Sequence, residues 1–225
     1  MSEIHKEGHF GGMEVIYCHD SPFNIAAQTI LEESDELITA RSLAIARMET
    51  GKMSSFSYNG SYINEGSLFI PRSKSGKRIW LRKSLVLDHL EDAVKNHDNK
   101  SECLLPKFNH REFLESIGKD NYCIIKDFSY IPTTRFGEDE RTSWLFQEAA
   151  VDYGLFLNDT GISKIYIYMN NDDKYIDIQH APFINQLWVR KISGNSNIDG
   201  DDKYLINNNM VRGIRYKKQR LNSLH

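Results

Sequence analysis

Ser67-Leu-Phe-Ile-Pro-Arg-Ser-Lys-Ser-Gly-Lys-Arg-Ile-Trp-Leu-Arg-Lys83 is the stretch that decides the class of fold. Residues 67–70 and 77–81 are short apolar runs with strand character, and residues 73–76 between them are small, polar and end in glycine. Two strands joined this closely form an antiparallel hairpin. Upstream, residues 14–17 read as a strand through Val15, Ile16 and Tyr17, and residues 55–58 alternate with period two. Asn59-Gly60 follows as the strongest short hairpin signal in the chain. Between these lies a helical pattern. Asp20-Ser21-Pro22 supplies helix-start chemistry, and apolar residues recur at Ile25, Ala26, Ile30, Leu31, Leu37, Ile38, Leu43 and Ala44. The acidic cluster 32–36 interrupts the pattern or starts a second helix, with Ser34 as its candidate N-cap, and Gly51 is the stop.

Downstream, residues 85–94 read as a helix, and residues 96–107 are polar, aperiodic and the best candidate linker. Residues 111–117 form a short helix, 122–125 a strand, and 138–157 a longer helix ended by Asn158-Asp-Thr-Gly161. Residues 165–169 and 175–178 are expected to pair across 170–174; residues 187–190, 204–206 and 211–216 are further strands. The order is mixed, without regular β-α-β alternation. The expectation is an α+β fold with a mixed, mainly antiparallel sheet and several helices. Its organisation is an N-terminal unit over 1–95 carrying the basic hairpin, a linker over 96–107 and a C-terminal unit over 108–225, or one continuous domain.

The 225 residues are 40% hydrophobic and 26% charged, enough to build a core. No apolar run approaches the roughly 20 residues of a membrane helix, and residues 1–9 are polar rather than leader-like. Cys18, Cys103 and Cys123 are odd in number and widely spaced, so reduced thiols and a cytoplasmic location are expected, with no membrane partner.

Charge is distributed unevenly. The net charge is −3, yet Arg72, Lys74, Lys77, Arg78, Arg82 and Lys83 surround Trp80 with no acidic residue among them. Strand alternation puts Lys77, Ile79 and Leu81 on one face and Arg78, Trp80 and Arg82 on the other. Arg212, Arg215, Lys217, Lys218 and Arg220 repeat the theme around Tyr216. Cations interleaved with aromatics can hold phosphates and stack bases. The structural counter-reading is Trp80 in the core and an edge strand guarded by lysines. The chain reads as a non-enzymatic binding protein, without a cofactor, acting on nucleic acid or an acidic protein surface as an adaptor or inhibitor.

The enzymatic alternative uses carboxylates. Glu148 and Asp152 share a helix face, and Asp172, Asp173 and Asp177 lie on the following hairpin with His180 just beyond as an acid or base. Such a set could hold Mg²⁺ and activate water for phosphodiester cleavage. The layout resembles restriction-type nucleases, whose second strand ends in an acid followed two residues on by lysine. Here the triplet is Asp177-Ile178-Gln179, and the lysine is missing. Arg41 or Arg47, Ser55-Phe-Ser57 and Glu138-Asp-Glu140 resemble, in order, short elements of some ADP-ribosyltransferases, although Glu138 and Glu140 equally suit the first turn of a helix. His5, His9, Cys18 and His19 fall close together without a Cys-x-x-Cys pair, and residues 195–201 resemble the front of a calcium loop whose terminal acid would fall on Ile206. Neither is expected to hold metal. No Gly-x-Ser-x-Gly elbow, Walker loop or Gly-x-Gly-x-x-Gly is present.

Overall fold

The fold is taken from a computed structural model, which describes residues 3–19, 22–71, 73–91, 103–105, 107–126, 130–169, 181–193, 196–200 and 210–216. Strand β1 (Ile4–Phe10) turns through Gly11 and Gly12, both at positive φ, into β2 (Met13–Cys18). Thus the polar N-terminal stretch is a paired strand. Helix α1 (Phe23–Glu33) buries Phe23, Ala26, Ala27 and Ile30. It ends at Ser34, whose Oγ donates to the Ile30 carbonyl at 2.7 Å. Ser34 therefore closes the first helix instead of capping a second. After β3 (Glu36–Leu37), the cap of α2 (Ala40–Thr50) is Thr39, whose side chain accepts from the Ser42 amide, and Gly51 stops the helix at φ 79° as expected.

Residues 55–58 are the one-turn helix α3 (Ser55–Tyr58), where the alternating pattern suggests a strand. The Ser54 side chain accepts from the Ser57 amide, so local capping chemistry overrides the period-two signal. Asn59-Gly60 consequently makes no hairpin turn. Gly60 is small for another reason: a Cβ there would run into the Trp188 indole.

Strand β4 (Ser61–Ile70) is longer than the apolar run suggests and is buried on both faces. It pairs antiparallel with β5 (Lys77–Leu81), Gly66 opposite Leu81 and Ile70 opposite Lys77, which is the hairpin expected from the sequence. The amides of Lys74, Ser75 and Gly76 all donate to the Pro71 carbonyl in the turn. Residues 85–88 form a 3-10 turn capped by Ser84 and residues 90–91 are helical; the rest of the helix expected over 85–94 lies outside the described residues. The chain continues through β6 (Cys103–Leu104), α4 (His110–Ile117), β7 (Tyr122–Ile124) and β8 (Ile131–Pro132). The helix expected over 138–157 is two: α5 (Glu140–Phe146) and α6 (Ala150–Asp159), separated by a 3-10 turn that begins at Gln147 with φ 55° and ψ −137°. The break turns Leu145, Phe146, Tyr153 and Leu157 toward one core. Strands β9 (Lys164–Tyr168), β10 (Phe183–Val189), β11 (Asn197–Asp199) and β12 (Val211–Tyr216) complete the fold. The expected partner of β9 over 175–178 lies outside the described residues; β8 and β11 flank it instead.

The strand order is β1-β2-β12-β4-β10-β11-β9-β8, with β3 on β12, β5 between β4 and β7, and β6 on β10. Most pairs are antiparallel; β12 with β4 and β11 with β9 are parallel. The protein is thus α+β, as its element order implies. Strands from either side of residues 96–107 pair with one another, β10 on β4 and β12 on β2, so the sheet is continuous across that segment. One apolar layer lies between the sheet and α2, α5 and α6; the other packs α1 against Ile16, Leu68, Ile79, Leu81 and Val211. No helix among the described residues is long and apolar enough to cross a membrane.

Candidate functional site

Of the cations singled out by the sequence, Arg82, Arg212 and Arg215 are built into the fold. Trp80 is 0% exposed, with its Nε1 buried and without an acceptor among the described residues. It cannot stack a base while the sheet is intact, which corrects that expectation. The face shared by Arg78, Trp80 and Arg82 is the inward one at Trp80, because β7 flanks β5 and helices cover it. Arg82 lays its guanidinium 3.9 Å from the Trp144 ring centre. Lys83 pairs with Asp88 at 3.3 Å, while Lys74 and Lys77 are exposed. Arg72 lies outside the described residues.

In the second cluster the described arginines are paired with acids. Arg212 is fully buried: Nε and Nη2 grip the Glu7 carboxylate at 2.6 and 3.0 Å, and the guanidinium lies 4.8 Å from the Phe56 ring centre. Its assignment as a ligand contact is therefore corrected. It sits on a strand held between β2 and β4, where both faces are covered and a charge must find a partner. Arg215 pairs with Glu14 at 3.2 Å and Glu33 at 3.0 Å. Tyr216 donates its hydroxyl to Glu36 at 2.6 Å. The open groove beside these residues, about 450 Å³, carries Glu14, Glu32, Glu33 and Asp35 and is acidic, not basic. Lys217 and Lys218 lie outside the described residues.

Of the alternative catalytic set, Asp172, Asp173, Asp177 and His180 also lie outside them. Glu148 is exposed and clamped by Arg41 at 2.5 Å; its own backbone amide and then Arg41 lower its pKa. Arg47 reaches Phe56, between the two serines of the Ser-x-Ser element, but spends its donors on the Phe56, Asn59 and Arg190 carbonyls and the Tyr153 hydroxyl. Glu138 turns away to Arg135. His5 and His19 stack 5.5 Å apart, whereas Cys18 is buried and His9 faces Glu14, and no group of three metal-binding side chains assembles among the described residues. Residues 197–199 of the calcium-like segment are strand β11.

The described residues gather one further cluster, of tyrosines around a lysine. Along β9, Ile165 and Ile167 enter the core, so Lys164, Tyr166 and Tyr168 point outward. Tyr166 and Tyr168 stack with centroids 6.0 Å apart. Ile131 on β8 pairs opposite Ile165, which brings Tyr130 to 6.3 Å from Tyr166. The Lys164 ammonium lies 5.0 Å from the Tyr130 ring centre and 5.1 Å from that of Tyr166. A hydrogen bond with Tyr166 raises the Lys164 pKa, so the group stays charged at neutral pH. Tyr130 is 51% and Tyr168 46% exposed. Across the sheet, Asn197 sits opposite Tyr166 and Asp199 opposite Tyr168, and Trp188 on β10 faces Asp199. The arrangement offers flat aromatic area, phenol hydroxyls and one cation. It carries no nucleophile–base pair.

Neither a family model nor a curated protein matches this sequence. A solved structure described as "Accommodation of massive sequence variation in Nanoarchaeota by the C-type lectin fold" superposes with a TM-score of 0.67, covering 92% of this chain and 99% of that one at 16% identity. At that identity the likeness speaks to architecture alone: the mixed sheet with its flanking helices is similar to the C-type lectin fold.

Proposed function

We propose that this chain is a binding protein whose recognition surface is the ladder Tyr130, Lys164, Tyr166 and Tyr168, and that its partner is an acidic protein surface. The observation that carries the reading is three tyrosines, two of them about half exposed, gathered on the outward face of β9 and the start of β8 around a charged lysine. Tyrosine gives large, stiff, amphipathic contact area at little entropic cost and is enriched at binding hot spots. Lys164 pairs with no carboxylate among the described residues, which suits it to an acidic group on the partner. The solved neighbour is described as using this fold to accommodate massive sequence variation. That supports a division of labour in which the sheet is the rigid support and the outward side chains do the recognising.

A random peptide library selected on the wild-type protein tests the reading. Enriched peptides should carry Asp or Glu, and affinity should fall at least roughly tenfold in Tyr166→Ser/Tyr168→Ser and several-fold in Lys164→Ala. Peptides that bind these variants as tightly as wild type would overturn the assignment. So would a polyanion preference, measured with single-stranded DNA and RNA, that survives the same substitutions.

A further inference from the structure

Glu65 is an acid in a place that does not favour an anion. It lies on β4 and is 1% exposed; its two carboxyl oxygens sit 3.3 and 3.1 Å from the Ala40 amide at the start of α2, and its own backbone amide is a further donor. It makes no ion pair among the described residues. The hairpin register, Gly66 opposite Leu81, places Arg82 directly across from it. Arg82 has its own unfinished contact: Nη1 is buried and has no acceptor among the described residues, while the guanidinium plane rests on Trp144. An arginine with one buried idle donor, facing a buried carboxyl that lacks a cation, has a second arrangement within reach.

We infer that Glu65, Arg82 and Trp144 form a proton-controlled latch. With Glu65 neutral, Arg82 stays on the Trp144 ring. With Glu65 ionised, the buried carboxylate draws Arg82 into a charge-assisted hydrogen bond and the guanidinium leaves the indole. Trp144 anchors α5 to the 3-10 turn Lys119–Asn121 before β7 through Nε1 to the Asp120 carbonyl at 3.2 Å, and the Arg82 amide donates to the Asn121 carbonyl beside it at 3.0 Å. Switching the arginine therefore alters how α5 is held against the sheet.

The charged and titratable groups facing this cluster are few. Burial, and to a lesser degree Glu36 from β3, favour the neutral acid; the Glu65 backbone amide, the Ala40 amide of α2 and Arg82 just past β5 favour the anion. On the other side, Cys123 of β7 faces Arg82, with Asp139, Glu140 and Arg141 of α5 around that thiol. Burial dominates and raises the Glu65 pKa from 4.5 to about 8, which places the switch just above neutrality. Because the folded chain keeps this proton where the unfolded chain loses it, the group's effect on stability is constant below about pH 4.5. Folding stability then falls as pH rises from about 4.5 through 8.

Tryptophan emission followed from pH 5 to 10 should show one transition between about pH 7 and 9. It should be lost in Trp144→Phe, which identifies the reporter, and in Glu65→Gln, which removes the proton. A transition that persists in Glu65→Gln would assign the titration to another group and overturn the latch, as would a flat wild-type profile. Should Glu65→Gln fail to fold, wild-type protein labelled at the glutamate carboxyl carbon gives the same decision. One carboxyl titrating near pH 8 in step with the emission supports the latch; all titrating below about pH 6 removes it.

Discussion

Replacing Arg212 by Met removes the cation from an ion pair that solvent barely reaches: the two side chains are 0% and 6% exposed. Glu7 would be left as a buried carboxylate with both guanidinium hydrogen bonds gone and the Ser55 hydroxyl as a remaining donor, and Gly60 and Ser55 would each lose a donor to their carbonyls. Breaking one side of a buried pair costs about 3–5 kcal/mol. For a chain of this size each kcal/mol moves the melting midpoint by about 2–4 °C, so a fall of about 6–20 °C is expected. Glu7→Leu should cost a similar amount, since it strands the guanidinium. The double variant Glu7→Leu/Arg212→Met should recover most of the loss, because burying two apolar side chains requires no ion desolvation. Urea unfolding of the four proteins closes the cycle. A surface cation awaiting a phosphate would behave otherwise, changing stability by no more than about 0.5 kcal/mol and showing no coupling to Glu7. A loss below about 1 kcal/mol in Arg212→Met, or simple additivity in the double variant, would refute the buried-pair reasoning.

Two further outcomes follow from the core and the backbone. Trp80→Ala should cost about 3–5 kcal/mol of stability, read as a large drop in melting temperature, because the indole is fully enclosed between sheet and helices. Gln147→Gly should raise stability by about 1 kcal/mol in denaturant unfolding, since φ 55° and ψ −137° is a glycine conformation held by a residue with a Cβ; a loss would mean that the Gln147 side chain makes up for the strain.

Local signals in the chain proved legible where local chemistry decides the outcome. Val211 to Tyr216 is a strand as expected, Gly51 stops its helix, and the hairpin around residues 73–76 forms. Period two says that Arg78, Trp80 and Arg82 share a face, but not which face is inside. A strand covered on both sides carries no such mark. The partner that buries Arg212 stands 205 residues away in a stretch that reads as a polar tail, so nothing near Arg212 announces it. The break at Gln147 lacks the proline or glycine that would flag it. In the tyrosine ladder, the spacing of Lys164, Tyr166 and Tyr168 is a plain period-two signal. Tyr130 joins them only through the pairing of β8 with β9, and that depends on the folded sheet.

The place of β12 has a kinetic side. It fills the gap between β2 and β4, yet among the described strands it is the last to leave the ribosome. Through most of synthesis, β2 and β4 exist without the strand that joins them, each with unpaired backbone along an apolar edge. Such edges recruit other chains. Contacts spanning nearly the whole sequence, Val211 with Cys18 and Arg212 with Glu7, also slow the closing step, because the ends must be brought together before any of them forms. A polysome making this protein carries chains whose sheet stays split until the final strand arrives, and the yield of folded protein depends on how well the two halves are kept from neighbouring chains in the meantime.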